Sequence, residues 1–177
     1  FHHGADVEID WIQAEDVDAL LAVDRLAQLD GLVIPGGFGA RGFEGKIAAA
    51  GYARTEKLPC LGLCLGLHAM TVEFARNVAG LSDANSTEFE PTTRHPVIDL
   101  MHDQREVTDK GGTMRLGAYY AVLEPETKVA RAYDEPVVSE RHRHRYEVNV
   151  NYRQRLESAG LQFSGLSPDK RLPEIVE

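Results

Sequence analysis

The sequence predicts an α/β fold, with a central, mostly parallel sheet that carries helices on both faces and a smaller β-rich part after it. In the first half of the chain, short apolar runs alternate with segments whose apolar residues recur at helical spacing. Glycine-bearing turns directly follow two of these runs. Strands that alternate with helices in this way form parallel sheets, which bind ligands at the carboxyl ends of their strands.

The first half of the chain supplies this alternation. Period-two alternation marks the first strand, while apolar spacing and length distinguish the helices from the later, buried strands. The predicted elements are, in order, a strand over 7–12, a helix over 18–29, a strand over 32–34, a glycine-rich loop over 35–45, a helix over 47–57, a strand over 58–63 and a helix over 64–76.

Beyond Asn85 the pattern becomes richer in β segments. We predict strands over 96–100, 113–123 and 137–148, and a helix over 152–159. The last residues, 173–177, alternate between apolar and acidic side chains like an unfinished strand, and the first residue is not Met. We therefore expect one domain over 1–177 that is cut at both ends.

Composition narrows the class of protein. The 177 residues are 43% hydrophobic, which is enough for one substantial core, and the formal net charge is -9. An acidic chain has the wrong sign to hold a phosphate backbone, so we expect no nucleic-acid partner. No apolar run is long enough to cross a membrane and no signal peptide is evident, so we expect no membrane association and a cytoplasmic location.

Cys64 lies between Gly62 and Gly66, where a predicted strand gives way to a helix. This spacing is typical of a nucleophile elbow, whose tight turn crowds the neighbours of its apex and therefore needs glycine there. A helix N-terminus favours the thiolate, which is the reactive form of cysteine. The alternative is that Cys64 is a small buried hydrophobic residue, which is also our interpretation of Cys60.

A metal site is the next alternative, since Cys60, Cys64 and His68 would share one face of a continuous helix. Pro59 and the flanking glycines argue against such a helix, and three residues are too few ligands for a structural site. A pair of histidines, His142 and His144, lacks nearby cysteine or carboxylate ligands at metal-site spacing. We expect no metal site.

The loop that follows the strand over 32–34 contains Gly37, Gly39 and Gly42 in the spacing of a dinucleotide fingerprint. A dinucleotide site also needs an acidic residue at the end of the next strand, but that strand ends at the Cys64 elbow. The loop's backbone N–H groups could instead stabilise an oxyanion formed when Cys64 attacks a carbonyl.

Together, residues 34–39 and 62–66 resemble the class I glutamine amidotransferases, which have a flavodoxin-like fold. Residues 85–89, 111–117 and 140–149 are similar to the CTP synthase branch of that family. The resemblance covers essentially the whole chain. It implies a ligase in which this domain hydrolyses L-glutamine and supplies ammonia for the ATP-dependent conversion of UTP to CTP in pyrimidine biosynthesis.

The resemblance also implies roles for individual residues. Cys64 would form a γ-glutamyl thioester, and the backbone N–H groups of Gly37 and Leu65 would stabilise the oxyanion. Glu88 and Arg145 would hold the α-amino and α-carboxylate groups of glutamine, which suits a carboxylate acceptor and a bidentate guanidinium. The glutamine site would further include three residues after the elbow: Gly66, Leu67 and His68.

Two departures from the family pattern stand out. His68 occupies a position where the family usually has a glutamine that contacts the substrate, so its affinity for glutamine is expected to differ. The family's general-base histidine and its acidic partner stand in a His-Pro-Glu string that the resemblance places beyond residue 177. We give their role to neither His142 nor His144, and expect the 177 residues alone to be slow or inactive.

No cofactor is expected in this chain. The resemblance places ATP and Mg²⁺ in a separate synthetase domain of the same polypeptide, implies a homo-oligomer, and implies GTP as an activator. Arg41, Gly42 and Glu44 are the candidates for GTP, with residues 111–117 as a lid. Two alternatives stay open: another class I amidotransferase or a γ-glutamyl hydrolase, and a non-catalytic domain that binds glutamine.

Overall fold

The computed structural model describes residues 3–17, 21–100 and 114–177, with the side chains of 21–23 left aside. Residues 111–113 of the predicted lid over 111–117 lie outside the described residues. The first three residues of the helix predicted over 18–29 and the first residue of the strand predicted over 113–123 also lie outside them.

A parallel pair of strands carries the two glycine-bearing turns. Strand β1 (Leu32–Ile34) pairs with β2 (Cys60–Gly62), so that Ile34 stands opposite Gly62. Helix α1 (Leu21–Leu26) precedes β1, helix α2 (Phe43–Glu56) links the two strands, and helix α3 (Leu65–Asn77) follows β2. The pairing places the loops after β1 and β2 at the same edge, as the sequence predicts.

Two further sheets complete the described strands. The first joins β3 (Ala84–Ser86), β4 (His95–Leu100) and β7 (Tyr146–Val148), with a parallel and an antiparallel pairing. The second is antiparallel in the order β6-β5-β8-β9. Its strands are β5 (Arg115–Leu123), β6 (Val137–His144), β8 (Gly165–Leu166) and β9 (Pro173–Ile175). Helix α4 (Lys128–Tyr133) connects β5 to β6, and helix α5 (Arg153–Ser158) follows β7 along the chain.

The main core forms around helix α3. Ala69, Val72 and Ala75 on this helix are fully buried and belong to a cluster that includes Ile98 of β4 and Phe163. Because α3 packs between the other elements, its first residue is held in a fixed place. That residue is Leu65, and Cys64, the candidate nucleophile, directly precedes it.

The observed elements differ from the predicted ones at several points. Residues 7–12 form no strand, because they have no partner strand among the described residues and their apolar side chains are exposed. The described strands form three sheets instead of one central sheet, and the strand predicted over 137–148 breaks at Arg145. Strands β3 and β8 and helix α4 are too short to leave a clear sequence pattern.

Within the described ranges, none of the helices combines the length and the apolar composition that a membrane crossing requires.

Candidate active site

Cys64 occupies a strained turn between β2 and α3. Its φ of 55° and ψ of -109° place it in a region that residues with a side chain rarely adopt. The turn is held by backbone hydrogen bonds from Leu63 N–H to the Ile34 carbonyl at 2.9 Å and from Gly66 N–H to the Leu63 carbonyl at 2.8 Å. This is the geometry that the glycine spacing predicts for a nucleophile elbow.

Glycine is required on either side of Cys64 because a side chain at either position would clash. A Cβ at Gly66 would lie 2.1 Å from the Ile34 carbonyl oxygen, and a Cβ at Gly62 would lie 2.4 Å from the sulfur of Met70. Helix α3 therefore approaches the end of β1 more closely than any side chain would permit. Gly66 permits this close approach, and it is not among the residues that line the cavity beside the Cys64 thiol.

The thiol of Cys64 is surrounded by hydrogen-bond donors. The imidazole of His144 hydrogen-bonds the sulfur, and the backbone N–H groups of Leu65 and Gly37 also point at it. The bond from His144 is the strongest of these influences, and together they hold the pKa of Cys64 below its ordinary value despite burial. Cys60 differs, because burial alone raises the pKa of its thiol. The structure thus favours a thiolate at Cys64 only.

His144 is itself held by a chain of buried charges. Its Nδ1 lies 3.2 Å from the Glu147 carboxylate, which leaves Nε2 for the thiol. Burial lowers the pKa of His144, but its hydrogen bonds to Cys64 and Glu147 outweigh this effect and raise it to about 10. Glu147 in turn accepts from Arg115 at 3.3 Å, and Arg115 also donates to Glu174. The imidazole is therefore fixed in orientation and kept protonated.

A cavity of about 270 Å³ opens beside the thiol. The residues that the sequence analysis named for the glutamine site and that line this cavity are Gly37, Cys64, Leu65, His68, Glu88 and Arg145. Leu67 lies outside it and packs against the main core. Five further residues line the cavity that the sequence did not predict for the glutamine site: Phe38, Met114, Arg143, His144 and Tyr146.

Two opposite charges stand in this cavity near the thiol. Burial raises the pKa of Glu88, while a backbone N–H from Gly39 and the charge of Arg145 favour its ionised form. The Nε of Arg145 is buried and has no hydrogen-bond partner among the described residues. A zwitterionic ligand would supply partners for both groups, since its ammonium suits the carboxylate and its carboxylate suits the guanidinium.

His68 faces the same space from the first turns of α3. It is only 5% exposed, and its ring lies 5.7 Å from that of His144 in an edge-on arrangement. Burial and the neighbouring charge of His144 lower its pKa to about 4, so the ring is neutral at neutral pH. Both ring nitrogens lack a hydrogen-bond partner within the described part of the chain.

The break after β6 explains why neighbouring residues share the cavity. In a regular strand, side chains alternate between faces, so His144 and Arg145 would point apart. Here β6 ends at His144 and β7 begins at Tyr146 in a different sheet. Arg143, His144, Arg145 and Tyr146 therefore all line the cavity, and Arg143 lies 5.1 Å from the ring of Phe38.

The three candidates for an activator site lie away from this cavity. Arg41 is exposed and pairs with Glu15, while Glu44 accepts from Arg76 at 2.7 Å. Gly42 adopts a left-handed conformation at the start of α2. Gly42 and Glu44 line a separate cavity, Arg41 lines another, and none of the three lines the Cys64 cavity.

The sequence matches the family described as glutamine amidotransferase class-I over residues 1–177. The CTP synthase of Chloroflexus aggregans is 57% identical over 181 residues, covering 99% of this chain and 33% of that protein. The CTP synthase of Bacillus cytotoxicus is 56% identical over 172 residues, covering 97% of this chain and 32% of that protein. The chain thus spans about a third of the length of these relatives.

Among solved structures, the glutaminase domain of Trypanosoma brucei CTPS with bound acivicin has a similar fold. The TM-score is 0.91 at 38% sequence identity, with 99% of this chain and 69% of the other covered. This similarity confirms the fold class that the sequence predicts, with several sheets in place of one.

Proposed function

Because the chain belongs to the class I glutamine amidotransferase family, we propose that it is the glutaminase domain of a CTP synthase and that Cys64 attacks L-glutamine. The observation that carries this proposal is the thiol on a strained elbow, which receives hydrogen bonds from His144 and from two backbone N–H groups. A free structural cysteine would have no use for this arrangement.

The first half of the reaction follows from these contacts. The thiolate of Cys64 attacks the amide carbon of the glutamine side chain, and the carbonyl oxygen takes the negative charge. The N–H groups of Gly37 and Leu65 lie next to the sulfur and stabilise that charge. Collapse of the intermediate forms the γ-glutamyl thioester, and the proton held on His144 is available to the departing ammonia.

Water then hydrolyses the thioester to glutamate and frees the thiolate. This step needs a group that accepts a proton from water, and we assign it to the general-base histidine of the family's His-Pro-Glu string. His144 supports a different requirement, because its high pKa makes it a poor acceptor at neutral pH and a good partner for a thiolate.

Substrate recognition rests on the charged pair in the cavity. Glu88 binds the α-ammonium of glutamine and Arg145 binds its α-carboxylate, and the amide end then reaches Cys64. The match of a zwitterion to two fixed opposite charges selects a free amino acid over a peptide-bound side chain. His68 lines the same cavity and shapes the contact with the substrate.

The remaining functions belong to the parent enzyme. Ammonia passes to a synthetase domain of the same polypeptide, where ATP and Mg²⁺ activate UTP for amination, and the parent is a cytoplasmic homo-oligomer. GTP activates glutamine hydrolysis, and the exposed group of Arg41, Gly42 and Glu44 is the candidate contact. The ion pairs Arg41–Glu15 and Arg76–Glu44 would have to break for these side chains to bind a nucleotide.

The test is ammonia release from glutamine by the full-length protein that carries this chain, with and without GTP. Cys64→Ala should abolish the release, whereas Cys60→Ala should preserve it, because Cys60 has no donor to stabilise its thiolate. GTP stimulation together with CTP formation supports the CTP synthase assignment. Release that survives Cys64→Ala would exclude Cys64 as the nucleophile.

A further inference from the structure

The loop that brings the Gly37 N–H group to the thiol is tied to helix α2 by a lysine that the mechanism does not use. Lys46 lies in the first turn of α2, and its Nζ donates a hydrogen bond to the Pro35 carbonyl oxygen at 2.9 Å. Pro35 directly follows β1 and precedes two successive glycines, which give the loop conformational freedom. A hydrogen bond from an ammonium group is stronger than one between neutral groups, so this contact restrains the loop.

The restrained loop passes close to the reacting sulfur. A Cβ at Gly36 would lie 3.2 Å from the Cβ of Cys64 and 3.7 Å from its Sγ. A Cβ at Gly37 would lie 3.5 Å from the Nζ of Lys46 and 3.5 Å from Cδ2 of Leu65. The backbone at Gly37 therefore lies beside both the ammonium group and Leu65, which carries the second oxyanion donor.

Lys46 occupies a position that is unfavourable for a cation. The partial positive charge at the N-terminus of a helix disfavours a basic side chain in the first turn. Burial lowers the pKa of Lys46, and the charge of Cys64 acts against that effect. The side chain does not line the cavity beside the thiol, but it lines a neighbouring cavity together with Pro35. Lys46 can therefore act on the loop without touching the substrate.

We propose that Lys46 is a positioning residue, which fixes the loop over 35–37 so that the Gly37 N–H group meets the developing oxyanion. This inference rests on the proposed glutaminase activity. An oxyanion donor contributes most when it is already in place as the charge develops, and a displacement of about 1 Å can cost roughly 100-fold in rate. The ammonium group also adds a positive charge beside this donor. Lys46 thus assists the attack on the amide, whereas Glu88 and Arg145 bind the amino-acid end of the substrate.

This role predicts different effects on catalysis, on binding and on the thiol. Lys46→Met removes the donor and the charge but retains an unbranched side chain. In the full-length protein that carries this chain, we expect kcat for ammonia release to fall by roughly tenfold or more, with the KM for glutamine within about twofold of wild type. Alkylation of Cys64 by iodoacetamide should also stay within about twofold. That reaction forms no oxyanion, and His144 is the main influence on the pKa of the thiol.

Hydrogen exchange followed by mass spectrometry tests the restraint itself, without glutamine. The backbone amides of residues 36–42 should exchange faster in Lys46→Met than in wild type. Lys46→Arg keeps the cation and its donors, so it should restore most of kcat and the slow exchange. The matched control is Lys128→Met, which removes an exposed lysine in the first turn of α4 and should change neither. Thermal melting checks the fold of all three variants.

An unchanged kcat in Lys46→Met would overturn the proposal. An equal loss in Lys46→Arg would do the same, because it would indicate packing and not the cation. A matching fall in the iodoacetamide rate would also overturn it, since the effect would then lie on the thiol. A wild type that releases no ammonia would instead refute the glutaminase assignment, and the exchange rates would then decide whether Lys46 restrains the loop.

Discussion

The imidazole of His144 hydrogen-bonds the sulfur of Cys64, and this contact joins two parts of the chain that fold into different sheets. Cys64 follows β2 of the parallel pair, whereas His144 ends β6 of the antiparallel sheet. The thiolate at the elbow and the protonated ring therefore stabilise each other only when both sheets are correctly packed. The reactivity of Cys64 therefore depends on correct tertiary packing.

Replacing His144 with Gln should slow alkylation of Cys64 by iodoacetamide at neutral pH by roughly tenfold or more. His144 holds the pKa of Cys64 below the ordinary value of 9.0, so its loss raises the pKa and lowers the thiolate fraction at pH 7. The rates of variant and wild type should converge above pH 10, where both thiols are ionised. The measurement is the alkylation rate from about pH 6 to about pH 11, with Cys60→Ala as background in both proteins.

An unchanged pH profile in His144→Gln would show that the backbone N–H groups and the helix N-terminus alone stabilise the thiolate. The control is Tyr152→Phe, which alters a side chain that contacts His95 outside the cavity and should leave the profile as it is.

The sequence predicts the elbow and the glycine loop because both depend on local geometry. Gly62, Cys64 and Gly66 define a turn that any strand followed by a helix would make with these residues. The role of His144 could not be predicted in the same way. Strand alternation places it on the face opposite Arg145, and only the change of sheet at Arg145 brings both into one cavity.

The strand predicted over residues 7–12 is wrong, and it shows again that a local sequence pattern does not determine tertiary pairing. Its period-two pattern is clear, but a strand exists only with a partner, and Val7, Ile9 and Trp11 remain exposed at 79%, 66% and 83%. Pattern alone cannot show whether a partner is present.

Gly66→Ala should abolish the reactivity of Cys64 or prevent folding, because the new Cβ would lie 2.1 Å from the Ile34 carbonyl oxygen. The backbone on both sides cannot yield without opening the β1–α3 contact that supports the elbow. Gly31→Ala is the matched control, since its Cβ would meet its nearest neighbour at an ordinary 3.5 Å. Thermal melting and alkylation of both variants check this, and normal reactivity in Gly66→Ala would mean that the elbow is not held as described.

Arg54→Met should destabilise the protein by about 1–3 kcal/mol, because it removes the cation from the buried carboxylate of Glu73, which keeps only the donor Asn77 Nδ2 at 3.0 Å. Arg54 donates twice to Glu73 at 2.8 and 2.9 Å between helices α2 and α3, and the Glu73 side chain is only 3% exposed. The double variant Arg54→Met, Glu73→Met should recover most of this loss, since two apolar side chains can fill the same space. Chemical denaturation of the single and double variants measures both effects, and additive losses would contradict the prediction.

Arg145→Met should raise the KM for glutamine by roughly 10- to 150-fold, which corresponds to about 1.5–3 kcal/mol for a hydrogen-bonded charge. The guanidinium lines the cavity with a buried Nε that has no partner within the described residues, so the α-carboxylate of the substrate is its natural acceptor. Alkylation by iodoacetamide, which carries no α-carboxylate, should change little, whereas alkylation by a chloroketone analogue of glutamine should slow in step with the loss of binding. Arg141→Met is the matched control, because this neighbouring arginine lies outside the cavity on β6. Equal slowing with both reagents would mean that Arg145 acts on the thiol or on the fold, and not on the amino-acid end of glutamine.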